Sequence, residues 1–155
     1  MATTQISCRI KAPRSAVYRA LLDPQMVQQW RVPDGITSKV HLFEPVEGGR
    51  VRVSLTYVDR TRSGKSEPQT DTCHRRFIKL IPDEQVVEVD EFETADPALQ
   101  GDMTSTIRLV EMDGDTRLDA IHEGLPRGLS PTDNELGWKL ALKKLARLVE
   151  DDQRA

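Results

Sequence analysis

Residues 134–150 read NELGWKLALKKLARLVE. At 3.6 residues per turn, Trp138, Ala141, Leu142, Leu145, Leu148 and Val149 fall on one apolar stripe, the pattern of a helix laid against a core. Leu136 and Leu140 fall on the other side, which becomes Lys143, Lys144 and Arg147 farther along. A helix on the face of one antiparallel sheet needs a single stripe. The extra leucines predict that the front half of this helix is covered on two sides. A sheet curving around it would do this, with short helices or the 124–130 loop closing one end. Stray exposed leucines and a homodimer contact are the competing readings. The helix begins near Pro131, where both Ser130 and Thr132 fit a Ser/Thr-x-x-acid capping box and Thr132 with Glu135 fits better.

Upstream, the hydrophobic period is two. Strands are predicted at 37–43, 50–58, 71–81, 85–93, 103–112 and 116–123, separated by the turn sequences EGG at 47–49, SGK at 63–65, PDE at 82–84, DPALQGD at 96–102 and DGD at 113–115. These connections are too short for crossover helices, so the sheet is antiparallel. Before it lie a strand at 5–10 and a helix carrying Val17, Tyr18, Leu21 and Leu22. Asp23-Pro24 stops that helix, and a second short one follows at 25–30 with Met26, Val27 and Trp30. The order is strand, two short helices, six strands, long helix. This is an α+β chain forming a single domain over 1–155, with a core at about 6–150 and a tail at 151–155 expected to fray.

Composition narrows the function classes. Charged residues make up 30% of 155, interleaved in sign, with a net charge of -3. No basic patch for nucleic acid or anionic membrane emerges, and neither is expected as a partner. MATTQISCRI lacks the basic flank and apolar core of a secretory signal, and no apolar run reaches bilayer length, so a cytoplasmic protein is expected. Cys8 and Cys73 have no ligand spacing and read as free thiols. His41, His74 and His122 are scattered, so no metal site is expected, and no cofactor motif is present. GGR at 48–50 is a hairpin turn, since no helix follows it to form a phosphate loop.

The segments KAPRSAVYRALLDPQMVQQWRVPDG, EGGRVRV, PDEQVVEV and DTRLDAIHEGLP, leading into NELGWKLALKKLARLVE, resemble the START-like, SRPBCC superfamily. Within it they are similar to relatives of the activator of the heat-shock protein ninety ATPase. The likeness spans roughly residues 6–150. It implies a helix-grip fold, a curved sheet of about seven strands wrapped around the C-terminal helix, often with a cavity between them.

On that fold Met103, Ser105, Ile107 and Leu109 face the helix, as do Leu118, Ala120 and His122. His122 reads either as a hydrogen-bonded structural histidine or as a ligand contact. In VVEVDEFET two phases are open. If Val86, Glu88, Asp90 and Phe92 face in, two carboxylates enter the interior and need partners or water. If Val87 and Val89 do, the acids are solvated. A four-residue turn sets Lys79 opposite Glu88, and a three-residue turn sets Arg76 opposite Asp90. The cavity lining is predicted as Trp30, Tyr57, Phe77, Glu88, Asp90, Phe92, Met103, Ser105, Ile107, His122, Trp138 and Leu142. An empty pocket of roughly 300 Å³ would cost about 7 kcal/mol at ~24 cal/mol per Å³. Total stability is only about 5–15 kcal/mol, so such a cavity must hold water or a guest.

The leading expectation is a noncatalytic module binding a small, largely apolar ligand between sheet and helix. An SRPBCC-type enzyme of the cyclase or aromatase kind is a second, with Asp90 or Glu88 and His122 as acid and base. A chaperone ATPase activator is a third; this chain has no room for the separate N-terminal domain with which the eukaryotic activators grip the chaperone. A stress-linked partner protein that forms a homodimer is a fourth.

Overall fold

In the computed structural model residues 2–57 and 70–154 are described, Tyr57 by its backbone alone. The predicted turn at 63–65 and the side chain of Tyr57 lie outside the described residues. Strand β1 (Ala2–Ile10) is followed by helices α1 (Arg14–Leu22) and α2 (Pro24–Trp30). Strands β2 (Ile36–Phe43), β3 (Arg50–Tyr57), β4 (Thr70–Ile81), β5 (Gln85–Phe92), β6 (Met103–Met112) and β7 (Asp115–Leu125) come next, and helix α3 (Pro131–Arg154) ends the chain. The strands form one antiparallel sheet in the order β1-β7-β6-β5-β4-β3-β2. This is the helix-grip architecture. No helix among the described residues is long and apolar enough to cross a membrane.

The short helices are shaped by two prolines. Pro13 occupies the N-cap of α1 in extended conformation. Asp23 ends α1 and caps α2, accepting hydrogen bonds from the Gln25 and Met26 amides at 2.9 and 3.4 Å, while Pro24 stands at the first helical position, where no amide hydrogen is needed. Asp23→Ala is expected to cost about 1 kcal/mol, read as a shift of the urea midpoint with the slope unchanged. Trp30 closes α2. Its indole donates to the Ala20 carbonyl at 2.9 Å, which clamps α2 on α1 and buries the ring.

Helix α3 buries Leu142, Leu145 and Val149, with Trp138, Ala141 and Leu148 partly covered, as the apolar stripe predicts. The expected second cover is absent. Leu136 and Leu140 are 56% and 55% exposed. The sheet meets α3 on the stripe side only, and between α3 and the segment after α2, which Lys144 bridges at Val32 and Asp34, lies a groove of about 390 Å³ bordered by Trp30, Val32, Leu140 and Ala141. Two smaller expectations also change. Ser130, not Thr132, caps α3, its hydroxyl accepting from the Asp133 amide at 3.2 Å. The helix runs on to Arg154, and Asp152 pairs with Arg19, so 151–154 form a last helical turn rather than a loose tail.

Candidate functional site

The concave face of the sheet carries a transverse row of polar side chains. Register pairs Thr4 with His122, His122 with Ser105, and Ser105 with Glu88, so one residue from each of β1, β7, β6 and β5 points under α3. All four are buried, as is Asp90 one step along β5. The inward phase of Val86, Glu88 and Asp90 is the one adopted.

At one end of the row, the Asn134 amide of α3 donates to Thr4 Oγ1 at 2.9 Å. Thr4 Oγ1 also hydrogen-bonds His122 Nδ1, 3.1 Å away. The other ring nitrogen, Nε2, finds no partner among the described residues. The ring lies 4.5 Å from that of Trp138. Burial, with the nearby Arg31 charge second, pushes the His122 pKa down to about 4, so it is neutral at pH 7.

At the other end Arg31, the C-cap residue of α2, reaches inward. It donates from Nη1 and Nη2 to the two Glu88 oxygens, each at 3.0 Å, lies 3.6 Å from Asp90 Oδ2, and stacks 4.8 Å over the Trp138 ring. Arg75 Nε is 3.7 Å from Glu88 Oε2. Burial opposes charge on Glu88, but Arg31, a hydrogen bond with Asp90 and Arg75 together outweigh it and hold its carboxyl well below the usual range. Asp90 goes the other way. Burial first, and then the Glu88 charge, raise its pKa well above the ordinary value. The pair thus shares its charge unequally, Glu88 ionised and Asp90 favouring its proton.

Trp30, Phe77, Glu88, Asp90, Met103, Ser105, Ile107, His122 and Leu142 are buried, Trp138 is partly buried above the row, and Phe92 is half-exposed at the end of β5. The predicted ion partners are wrong. The three-residue turn is present, with Ile81 opposite Gln85, but a bulge at Ile78 shifts the register by one. Arg75 therefore faces Asp90, and Phe77 faces Glu88, while Lys79 pairs with Val87. Arg31 was missed because it follows a short helix at the start of turn chemistry, where a charged residue reads as solvent-facing. Thr4 and Asn134 carry no sequence signal beyond polarity.

The family described as Activator of Hsp90 ATPase homolog 1-like protein matches residues 11–150. The chain belongs to this family. Among solved structures it is similar to protein CV1439 from Chromobacterium violaceum, at 32% identity over 96% of each chain with a TM-score of 0.84. A protein from Arthrobacter aurescens shares the fold at 16% identity, 96% of this chain, 86% of that one and a TM-score of 0.79. So does MLL2253 from Mesorhizobium loti, at 18% identity, 97% and 98% coverage and a TM-score of 0.73. No curated protein matches. Members of this family share the helix-grip frame, which generally serves ligand binding, and the polar row lies where that frame encloses its interior. Among the described residues no group of three or more His, Cys, Asp or Glu side chains gathers to hold a metal ion.

Proposed function

We propose that the protein binds a small, largely apolar molecule on the concave face of the sheet, beneath α3 and the segment that follows α2, without transforming it. The observation that carries this is the set of buried polar atoms without a hydrogen-bond partner among the described residues: Ser105 Oγ, His122 Nε2, Asp90 Oδ1 and Arg75 Nε. Each such atom costs about 1–3 kcal/mol, which a guest offering one or two hydrogen-bonding groups offsets. The groove of about 390 Å³ beside Trp30 and Leu140 supports entry from the α3 side, since ligand sites begin at roughly 300 Å³. A catalytic acid–base pair needs groups poised near the working pH. Glu88, held ionised, and His122, neutral down to about pH 4, favour the noncatalytic reading, whereas Asp90, raised by burial and the Glu88 charge, is the one carboxyl that the enzyme reading would use. A cytoplasmic setting, where Cys8 and Cys73 stay reduced, fits the same reading.

Native and denaturing mass spectrometry of freshly purified protein tests the proposal. An adduct is expected in the native spectrum alone, and it should disappear in Ser105→Leu, which fills the floor of the row at an overpacking cost of about 1–3 kcal/mol. An adduct that persists unchanged in folded Ser105→Leu places the guest elsewhere.

A further inference from the structure

The groove between α3 and the segment after α2 is bordered by four cations and one acid. Lys143, Lys144 and Arg147 come from α3 and Arg31 from the end of α2, against Asp34 alone. Two of the four cations are matched. Lys144 pairs with Asp34 at 3.1 Å, and Arg31 turns inward to Glu88. Lys143 and Arg147 are exposed and take part in no ion pair or side-chain hydrogen bond among the described residues. The acids one turn beyond Arg147 are engaged elsewhere: Glu150 accepts from the Lys11 amide at 2.9 Å, and Asp151 pairs with Arg154 at 3.2 Å. Lys139, Lys143 and Arg147 also follow one another at four-residue spacing, where like charges repel and weaken a helix. An anion at this rim relieves that repulsion.

The same groove has an apolar side. Trp30, Val32, Pro33, Leu140 and Ala141 line it, and Leu140 lies one turn before Lys143 and Lys144 with 55% of its surface exposed. Gly137 leaves the wall open, since a methyl group there would meet nothing within 4 Å. The volume of about 390 Å³ is that of a small-molecule site, which begins at roughly 300 Å³. A second copy of this face would add to the positive excess rather than offset it, so charge complementarity favours an acidic occupant.

The geometry points to a free amphipathic acid as the ligand of this groove. Its apolar body lies against Leu140, Ala141 and Trp30, and its anionic group sits at the rim between Lys143 and Arg147, where the ammonium supplies a point charge and the guanidinium a fork of N–H donors. The site is the groove itself and stands whether or not a guest reaches the polar row beneath α3.

The fluorescent probes 8-anilinonaphthalene-1-sulfonate and N-phenyl-1-naphthylamine share one ring body and differ by the sulfonate, so titrating the full chain with each isolates the charge. The sulfonate probe is expected to bind several-fold more tightly than the neutral one. Lys143→Gln combined with Arg147→Gln should bring the ratio close to one, and Leu140→Ser should weaken both probes. Arg108→Gln, on the face of β6 turned away from α3, should change neither. All four positions are exposed, so these variants keep the fold. Dodecanoate should displace the sulfonate probe, and phosphatidylglycerol vesicles should not. Equal affinity of the two probes, or a preference that survives the double variant, overturns the acid assignment. A preference lost in Arg108→Gln reduces it to general charge attraction and overturns it too. Probe binding untouched by Leu140→Ser, or displacement by the vesicles and not by dodecanoate, removes the free acid from the groove. Failure of both probes to bind overturns the site while leaving the guest of the polar row to its own test in Ser105→Leu.

Discussion

Arg31→Met should lower folding stability by about 3–5 kcal/mol, a large share of the total for a domain of this size. Glu88 is 2% exposed and takes both of its short hydrogen bonds from Arg31. Arg75, at 3.7 Å, is too distant to replace them. Without Arg31 the carboxylate must stay charged in a dry interior or take up a proton. The pH dependence follows from the sign of the shift. In the unaltered protein the Glu88 pKa is lowered from its ordinary value of 4.5, so its contribution is present above that pH and is lost as pH falls through the folded value. In Arg31→Met burial, the largest influence, is opposed only by Asp90 and Arg75, so the Glu88 pKa should rise and the stability gained above pH 4.5 should shrink or vanish. The double variant Arg31→Met, Glu88→Met should recover most of the loss, because the penalty belongs to the orphaned charge. Urea unfolding at several pH values decides the matter. A single-variant loss under about 1 kcal/mol would place the pair with solvent-screened surface bridges.

His122→Gln and Asp90→Asn should tilt the stability profile in opposite directions. His122 is neutral in the folded state down to about pH 4, whereas an unfolded histidine protonates near 6.5. The unfolded chain therefore binds the extra proton between those values. Stability is full above pH 6.5 and falls by roughly 3 kcal/mol on the way to pH 4. Asp90 has the reverse sign. Its folded pKa is raised, so the folded state holds a proton that the unfolded chain has released, and stability falls as pH rises from 3.8 through the folded value. Where their pH windows overlap, the two slopes oppose each other. Asp90→Asn removes one slope, so this variant should lose stability steeply on acidification and gain it at neutral pH, where an amide mimics the protonated acid without the cost of holding the proton. His122→Gln should gain stability on acidification. Parallel profiles for both variants would contradict the assigned protonation states.

The interior phase of the sheet was legible because strand alternation and apolar content agree. Met103, Ile107 and Leu109 leave Ser105 no choice but to face in, and Leu118 with Ala120 does the same for His122. The pairing of charges was not legible. A single extra residue at Ile78 exchanges Arg76 for Arg75 opposite Asp90, and nothing in the sequence RRFIKLIPDEQ marks where the bulge falls. Arg31 is a harder case. Its partner Glu88 lies 57 residues away on another element, so no local pattern joins them.

By itself the sequence determined the element order, the antiparallel sheet, the burial stripe of α3 and the inward side chains of β6 and β7, because each depends on period and turn chemistry within a few residues; the phase of β5 was left to the structure. Only the tertiary structure decided that Arg31 enters the interior, that Asp90 and Glu88 divide their charge, and that Leu136 and Leu140 border an open groove rather than a second cover. Those outcomes depend on the distance between elements far apart in the chain, and long-range electrostatics and the packing of α2 against α3 leave no trace in local periodicity.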